Sequence, residues 1–239
     1  MPPNKVKTYW RNNGTDSVNA QWQKTENVTY SFNGFEVHNL TNCTLQFEIK
    51  QDMAAPVRAY YHLDNFYQNH RRYVNSFFSD QLLANNFTLT SLKNSNCAPL
   101  AVENDTLQIY PCGLIANSLF NDTIGRPVRV GISGDDEENT YKWSEEGIAW
   151  QSDMDLYKPL KNPNYDVIVP PPNWRIRYPN RRYSPDFPPP NLHTDEHFIT
   201  WMRTAALPSF FKPWAFGNET LVAGTYQIRI VDSKFELPY

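Results

Sequence analysis

The chain has 239 residues and a net charge of −3, with 14 Tyr, 14 Phe, 7 Trp, 19 Pro, 9 Gly and 3 Cys. It is long enough to bury a core without metals or cross-links, and its richness in rings and proline favours strands and stiffened loops over a helical bundle. The near-neutral balance, with Lys and Arg scattered, excludes recognition of nucleic acid or of a membrane surface by charge alone, and no apolar run approaches the length of a membrane span.

Residues 1–42 are polar, with rings at Tyr9, Trp10, Trp22, Tyr30, Phe32 and Phe35, and are expected to be irregular with short edge strands. From Thr44 to Lys50 the pattern alternates, Leu45, Phe47 and Ile49 against Gln46, Glu48 and Lys50, which is the signature of a half-buried strand. Residues 50–56 form a loop, and Val57, Ala59, Tyr61 and Leu63 mark a second strand, expected to pair antiparallel with the first. The following segment, 64–74, is dense in rings and planar polar groups. Its Arg71 and Arg72 suit stacking and bidentate carboxylate binding, so they are candidates for a partner surface. The competing reading is that the segment braces a loop against the sheet.

Residues 79–106 read as polar loop and Leu107–Tyr110 as a short strand. Val128, Val130 and Ile132 mark another, and Asp135-Asp136-Glu137-Glu138 a solvated loop tip. Residues 147–150 read as a brief strand. Pro170–Pro172 and Pro188–Pro190 then frame a basic segment with Arg175, Arg177, Arg181 and Arg182, expected to run extended across the surface and, given Trp174, Tyr178, Tyr183 and Phe187, to pack on the same domain. A helix is expected over 195–206, capped by Thr194 and stopped by Pro208, with Phe198, Trp201, Met202 and Ala205 on one face. Tyr226, Ile228 and Ile230 mark a terminal strand.

Eight Asn-x-Ser/Thr acceptors occur, at Asn13, Asn27, Asn39, Asn42, Asn86, Asn104, Asn121 and Asn218, where chance predicts about three. The excess points to a lumenal or extracellular chain, yet the N-terminal Met1-Pro2-Pro3-Asn4-Lys5 begins no signal peptide, as expected of a fragment whose flanks have been removed. Cys97 and Cys112 lie between turn residues. Joined, they would contribute about 3 kcal/mol by closing the loop in an oxidising compartment; the alternative is two buried thiols. Cys43 is left as a free thiol, an intermolecular link, or half of a bridge to an upstream partner.

Catalytic patterns are weak throughout. Gly131-Ile132-Ser133-Gly134 lacks the spacing and lysine of a phosphate loop, and Asp135 stands where a nucleophile elbow requires glycine. His193 and His197 are four apart without the rest of a zinc motif, and Asp153 with Asp155 is a weak candidate for a cation site or a glycosidase pair. No cofactor, metal or catalytic residue is therefore assigned.

Four stretches together resemble one family: 66–74 (FYQNHRRYV), 110–118 (YPCGLIANS), 120–123 (FNDT) and 201–206 (WMRTAA). It is the cell division control protein 50 family, also called the ligand-effect modulator family, the non-catalytic β subunits of type IV P-type ATPase lipid flippases. Pro170-Pro171-Pro172-Asn173-Trp174 resembles its fungal branch. The resemblance implies a mainly β, antiparallel sandwich-like single domain over 1–239 with a few short helices and long proline-rich loops. It would be the glycosylated exoplasmic part of a protein with two membrane spans, in the endoplasmic reticulum, Golgi, endosome or plasma membrane. It also implies a Cys97–Cys112 disulfide, a bridge from Cys43 to a cysteine upstream, a glycan on Asn121 and an ATPase partner. Because aromatic and Arg residues concentrate interface energy, Arg71, Arg72 and Trp174 are the candidate anchors for that partner. The alternative from another class is a secreted carbohydrate-binding or glycoside-cleaving domain.

Overall fold

The computed structural model describes residues 8–11, 15–18 and 20–232, and among these the chain forms twelve strands and six short helices. Strands β1 (Thr8–Arg11) and β2 (Thr15–Val18) make a small antiparallel pair. Next comes a long hairpin of β3 (Gln21–Phe32) and β4 (Phe35–Ile49). Its turn, Asn33-Gly34, has both residues at positive φ (49° and 85°), the pair of left-handed conformations whose twist matches that of the flanking strands. Most of the region expected to be irregular is therefore strand. The alternation there is hidden because Gln23 to Asn27 are all exposed, so this part of β3 offers no apolar face to read.

The apolar register of 45–49 appears as expected, with Leu45 and Ile49 buried. β4 is paired on its other edge by β12 (Gly224–Asp232), which sets Leu45 opposite Ile228. The far edge of β12 takes β8 (Thr123–Ile124) and β9 (Val128–Val130) in tandem, completing a five-stranded antiparallel sheet. β5 (Val57–Leu63) does not pair with β4. The bridge between Met53 and Leu221 carries the connection across to a second layer, where β5 pairs antiparallel with β11 (Phe210–Gly217). Pro213, which breaks the pattern of β11 in the sequence, is tolerated because the register shifts between Pro213 and Ala215. The inward residues of the two sheets share one core: Ile49, Tyr226, Trp214, Ala215 and Leu221, with Val57, Ala59 and Tyr61 against them. This is the contact that makes a sandwich.

A second half packs beside it, containing α1 (Arg71–Val74), α2 (Ser79–Leu82), α3 (Leu89–Lys93), α4 (Leu114–Asn117), α5 (Gln151–Met154) and α6 (Glu196–Met202). A small sheet of β6 (Val102–Glu103), β7 (Leu107–Ile109) and β10 (Ile168–Val169) lies in it, with β10 parallel to β7. The stretch 147–150 is a loop and not a strand, held by the Glu196 carboxylate, which accepts from the Gly147 and Ala149 amides at 2.8 and 2.7 Å.

The helix expected over 195–206 is shorter. Asp195, not Thr194, caps it by accepting from the Phe198 amide at 2.9 Å. It ends at Met202, where the Lys212 ammonium donates to the carbonyls of Thr200 (2.9 Å) and Arg203 and so occupies acceptors that a further turn would use. The proline-framed segment does more than cross the surface. Residues 172–177 and 179–181 form 3-10 turns, Trp174, Tyr183 and Leu192 are buried with Phe198 and Ile199, and Arg177 lies 4.6 Å over the Phe32 ring of the hairpin. It thus ties the β3–β4 tip to the helical core.

Burial leaves a pH signature. Desolvation lowers the Lys212 pKa from 10.5 to about 8, so between pH 8 and 10.5 the unfolded chain binds the extra proton and stability rises with pH. Burial raises the phenols of Tyr61, Tyr110 and Tyr157 and pushes Tyr178 up to about 12. Above pH 10 the folded state therefore keeps protons that the unfolded state releases, and stability falls. Urea midpoints of the domain are expected to rise from pH 8 to about 10 and then decline, and Lys212→Met should remove the rise. A flat profile up to pH 10 would contradict this origin.

Candidate functional site

The stretches that carry the resemblance meet in one interior. Gln68 is fully buried. Its Oε1 accepts from the Ala205 amide at 2.9 Å, and its amide nitrogen reaches the Trp201 carbonyl and the Tyr73 hydroxyl. The Tyr73 hydroxyl meets Ser118 Oγ at 2.8 Å, and Asn69 donates to the Ala206 carbonyl at 3.0 Å. The Trp201 indole N–H donates to the Ile115 carbonyl at 2.8 Å, and the Trp174 indole to the neighbouring Ala116 carbonyl at 2.9 Å. The polar groups of 66–74 thus complete the hydrogen bonding of buried backbone, as the bracing reading holds.

Cys97 and Cys112 are joined, with Cα atoms 5.6 Å apart, and both are buried with Leu92 and Ala101. Gln81 holds the second cysteine in place: its Oε1 accepts from the Cys112 amide at 2.8 Å while its amide nitrogen donates to the Ile109 carbonyl at 3.0 Å. Gly113 follows at φ 99°, pressed on the backbone of Ser76, whose Oγ accepts from the Leu114 amide at 2.9 Å. Cys43 lies half-buried on β4 between Lys24 of β3 and Ile230 of β12.

The candidates divide. Arg71 and Arg72 project from α1 and are exposed, as a partner surface requires. Trp174 is not available to a partner: it is 6% exposed and stands edge-on to Phe198 in the core, so its role as an anchor is replaced by a packing role. Asn27, Asn39, Asn86, Asn104 and Asn218 are exposed, Asn42 is half-buried, and Asn13 lies outside the described residues. Asn121, the acceptor named by the resemblance, is 5% exposed. It sits between β8 and Phe120, which is stacked on Tyr61, and its carbonyl accepts from Arg177.

The weaker chemical candidates have separate surroundings. Asp153 is paired with Arg203 at 2.8 Å, and the exposed Asp155 stands at the C-terminal end of α5. His193 Nδ1 faces the carbonyls of Met154 and Tyr157, whereas His197 meets Glu145 at 3.0 Å and lies on the Trp214 ring. Among the described residues no group of His, Cys, Asp or Glu is placed to hold a metal, and no helix is long and apolar enough to cross a membrane.

What the sequence reading missed lies on the surface. Tyr60, Trp150 and Phe211 are 53, 69 and 62% exposed. The signal was present at Tyr60, which stands on the polar side of the alternation in 57–63.

The model of the LEM3 (ligand-effect modulator 3) / CDC50 family matches residues 8–237, so the chain belongs to that family. It is 38% identical to the phospholipid-transporting ATPase accessory subunit CDC50 of Chaetomium thermophilum, over 99% of this chain and 58% of that protein. It is 43% identical to the accessory subunit CRF1 of Saccharomyces cerevisiae, over 85% of this chain and 49% of that one. With cell cycle control protein 50A of Mus musculus the identity is 35%, over 80% and 55%. The chain spans about half the length of the curated relatives it matches.

Proposed function

We propose that this chain is the exoplasmic domain of the accessory β subunit of a phospholipid flippase, acting by binding and stabilising a type IV P-type ATPase and supporting its exit from the endoplasmic reticulum. The observation that carries the reading is the family match over 8–237, with relatives named as phospholipid-transporting ATPase accessory subunits. ATP hydrolysis and lipid movement belong to the partner, and this chain catalyses no step. Residues 1–239 act as one domain on the lumenal or extracellular side of a membrane-embedded protein, in the secretory pathway or at the plasma membrane. Glycans sit on the exposed acceptors.

The test is trafficking: without the full-length protein the ATPase should remain in the endoplasmic reticulum, and re-expression should release it. Normal export in its absence would overturn the reading.

Arg71 and Arg72 act as anchors, because they offer planar charged groups at the surface on a short helix fixed by the buried Gln68 and the half-buried Tyr73. Full-length Arg71→Ala should recover at least about fivefold less ATPase on co-purification, the size of a modest hot spot. Undiminished recovery by a folded variant removes Arg71 from the interface.

A further inference from the structure

The acceptor Asn218-Glu219-Thr220 follows β11 at once, and all three residues are exposed. It stands on a fixed base. The Tyr141 hydroxyl donates to the Glu219 carbonyl at 2.7 Å, and Tyr141 lies so close to Gly217 that a Cβ there would be 2.2 Å from the hydroxyl oxygen. Asn218 is the second residue after Phe216, so strand alternation carries it to the same outward side, about 7 Å further along the chain.

That side of the β5–β11 sheet bears a half-open cleft of about 450 Å3. One wall is Arg58 and Tyr60 of β5, which pair with Phe216 and Pro213 of β11. The other is the loop 147–150, with Gly147 against the Phe216 ring and Trp150 at its end. Glu196 holds two amides of this loop, and the bridge between Ser144 and Phe216 ties its base to the strand. A wall held in this way loses little freedom when something settles on it. The chemistry suits a neutral sugar chain. Tyr60 and Trp150 are exposed rings on which the apolar C–H face of a pyranose packs. Planar polar groups of both signs stand around them, Arg58 and, beside Gly147, the exposed Glu146, able to donate to and accept from sugar hydroxyls.

We infer that the N-linked glycan of Asn218 folds back into this cleft and stacks its core sugars on Phe216, Tyr60 and Trp150. This rests on the reading that the exposed acceptors are glycosylated, and adds where one of those glycans lies and what it does: it covers ring surface on the outer face of the sheet. The tether makes weak stacking sufficient. A short linkage holds the sugars at a local concentration on the order of millimolar, at which a bound form is populated without tight contacts. Asn104, which heads the β6–β7 turn at φ 48° and lies outside the cleft, supplies the comparison.

The test uses the full-length protein from a glycosylating host, digested for timed intervals with endoglycosidase H and followed by glycopeptide mass spectrometry. In the folded protein, release from Asn218 should be at least about fivefold slower than from Asn104, because only the undocked fraction is cut. Denaturation should equalise the two sites. Tyr60→Ala with Trp150→Ala, both at exposed positions and checked by thermal unfolding, should bring the two rates to within about twofold. Thr220→Ala, which removes the glycan and leaves the cleft intact, should raise hydroxyl-radical oxidation of Trp150 severalfold. Equal release from Asn218 and Asn104 in the folded protein, protection that survives loss of both rings, or unchanged oxidation of Trp150 would overturn the inference alone. An Asn218 without glycan would overturn it together with the glycan assignment at that acceptor. Neither readout involves an ATPase, so each of these failures leaves the accessory-subunit reading to its own trafficking test.

Discussion

Gly113→Ala should unfold the domain or cost at least about 3 kcal/mol, far more than the same change at Gly131. Both glycines sit at positive φ, 99° and 81°, where a Cβ alone costs about 1–2 kcal/mol. They differ in what the methyl would meet. At Gly131 nothing lies within 4 Å, whereas at Gly113 the new atom would be 2.1 Å from the Ser76 carbonyl oxygen and 2.7 Å from its carbon. Ser76 cannot retreat cheaply, because it is fully buried and its hydroxyl accepts from the Leu114 amide. The glycine after Cys112 is thus what lets the disulfide loop lie against 75–77. Urea unfolding of both variants checks it: equal losses at the two sites would show that the close approach is not real.

Trp201→Ala should be nearly as damaging. The ring is 1% exposed, edge-on to Phe66 at 5.5 Å, and its N–H satisfies the Ile115 carbonyl. Removing a buried indole costs about 3–5 kcal/mol, and leaving the carbonyl without a donor adds about 1–3 kcal/mol. Trp201→Phe separates the two contributions by keeping most of the ring and losing only the donor. Thermal unfolding should therefore order the proteins as unmodified, Trp201→Phe, Trp201→Ala. If Phe and Ala proved equally harmful, the hydrogen bond rather than the packing would dominate, contrary to the burial.

Where a segment has one dry face, period-two alternation reports it, so the strands at 45–49, 57–63 and 226–230 were legible. Where both faces are wet, as along Gln23 to Asn27, the same backbone leaves no apolar trace. The turn signal Asn33-Gly34 was nevertheless in plain view and would have announced the hairpin. Partner strands were harder to assign. β5 reads as the neighbour of β4 because it follows in sequence, yet Met53 pairs with Leu221 and diverts it to the other layer, a contact 168 residues away in the chain.

The candidate site was legible in its interior more than on its surface. Polar side chains such as Gln68 and Gln81 look like surface residues in a sequence, but each completes the hydrogen bonding of buried backbone. Trp174 misled for the complementary reason: beside prolines and arginines a tryptophan suggests an exposed anchor, yet a 3-10 turn at 172–177 directs it into the core. Arg58, Tyr60 and Trp150 come from two separated segments, and only folding brings them around one cleft.

The most direct measurement of the central claim is the composition of what the full-length protein carries with it from native membranes. After mild solubilisation and purification, quantitative mass spectrometry should find a type IV P-type ATPase at close to one copy per copy of this protein, and the ATPase should be lost when the domain is destabilised by Gly113→Ala. A properly folded, oxidised protein recovered with no such ATPase would contradict the account.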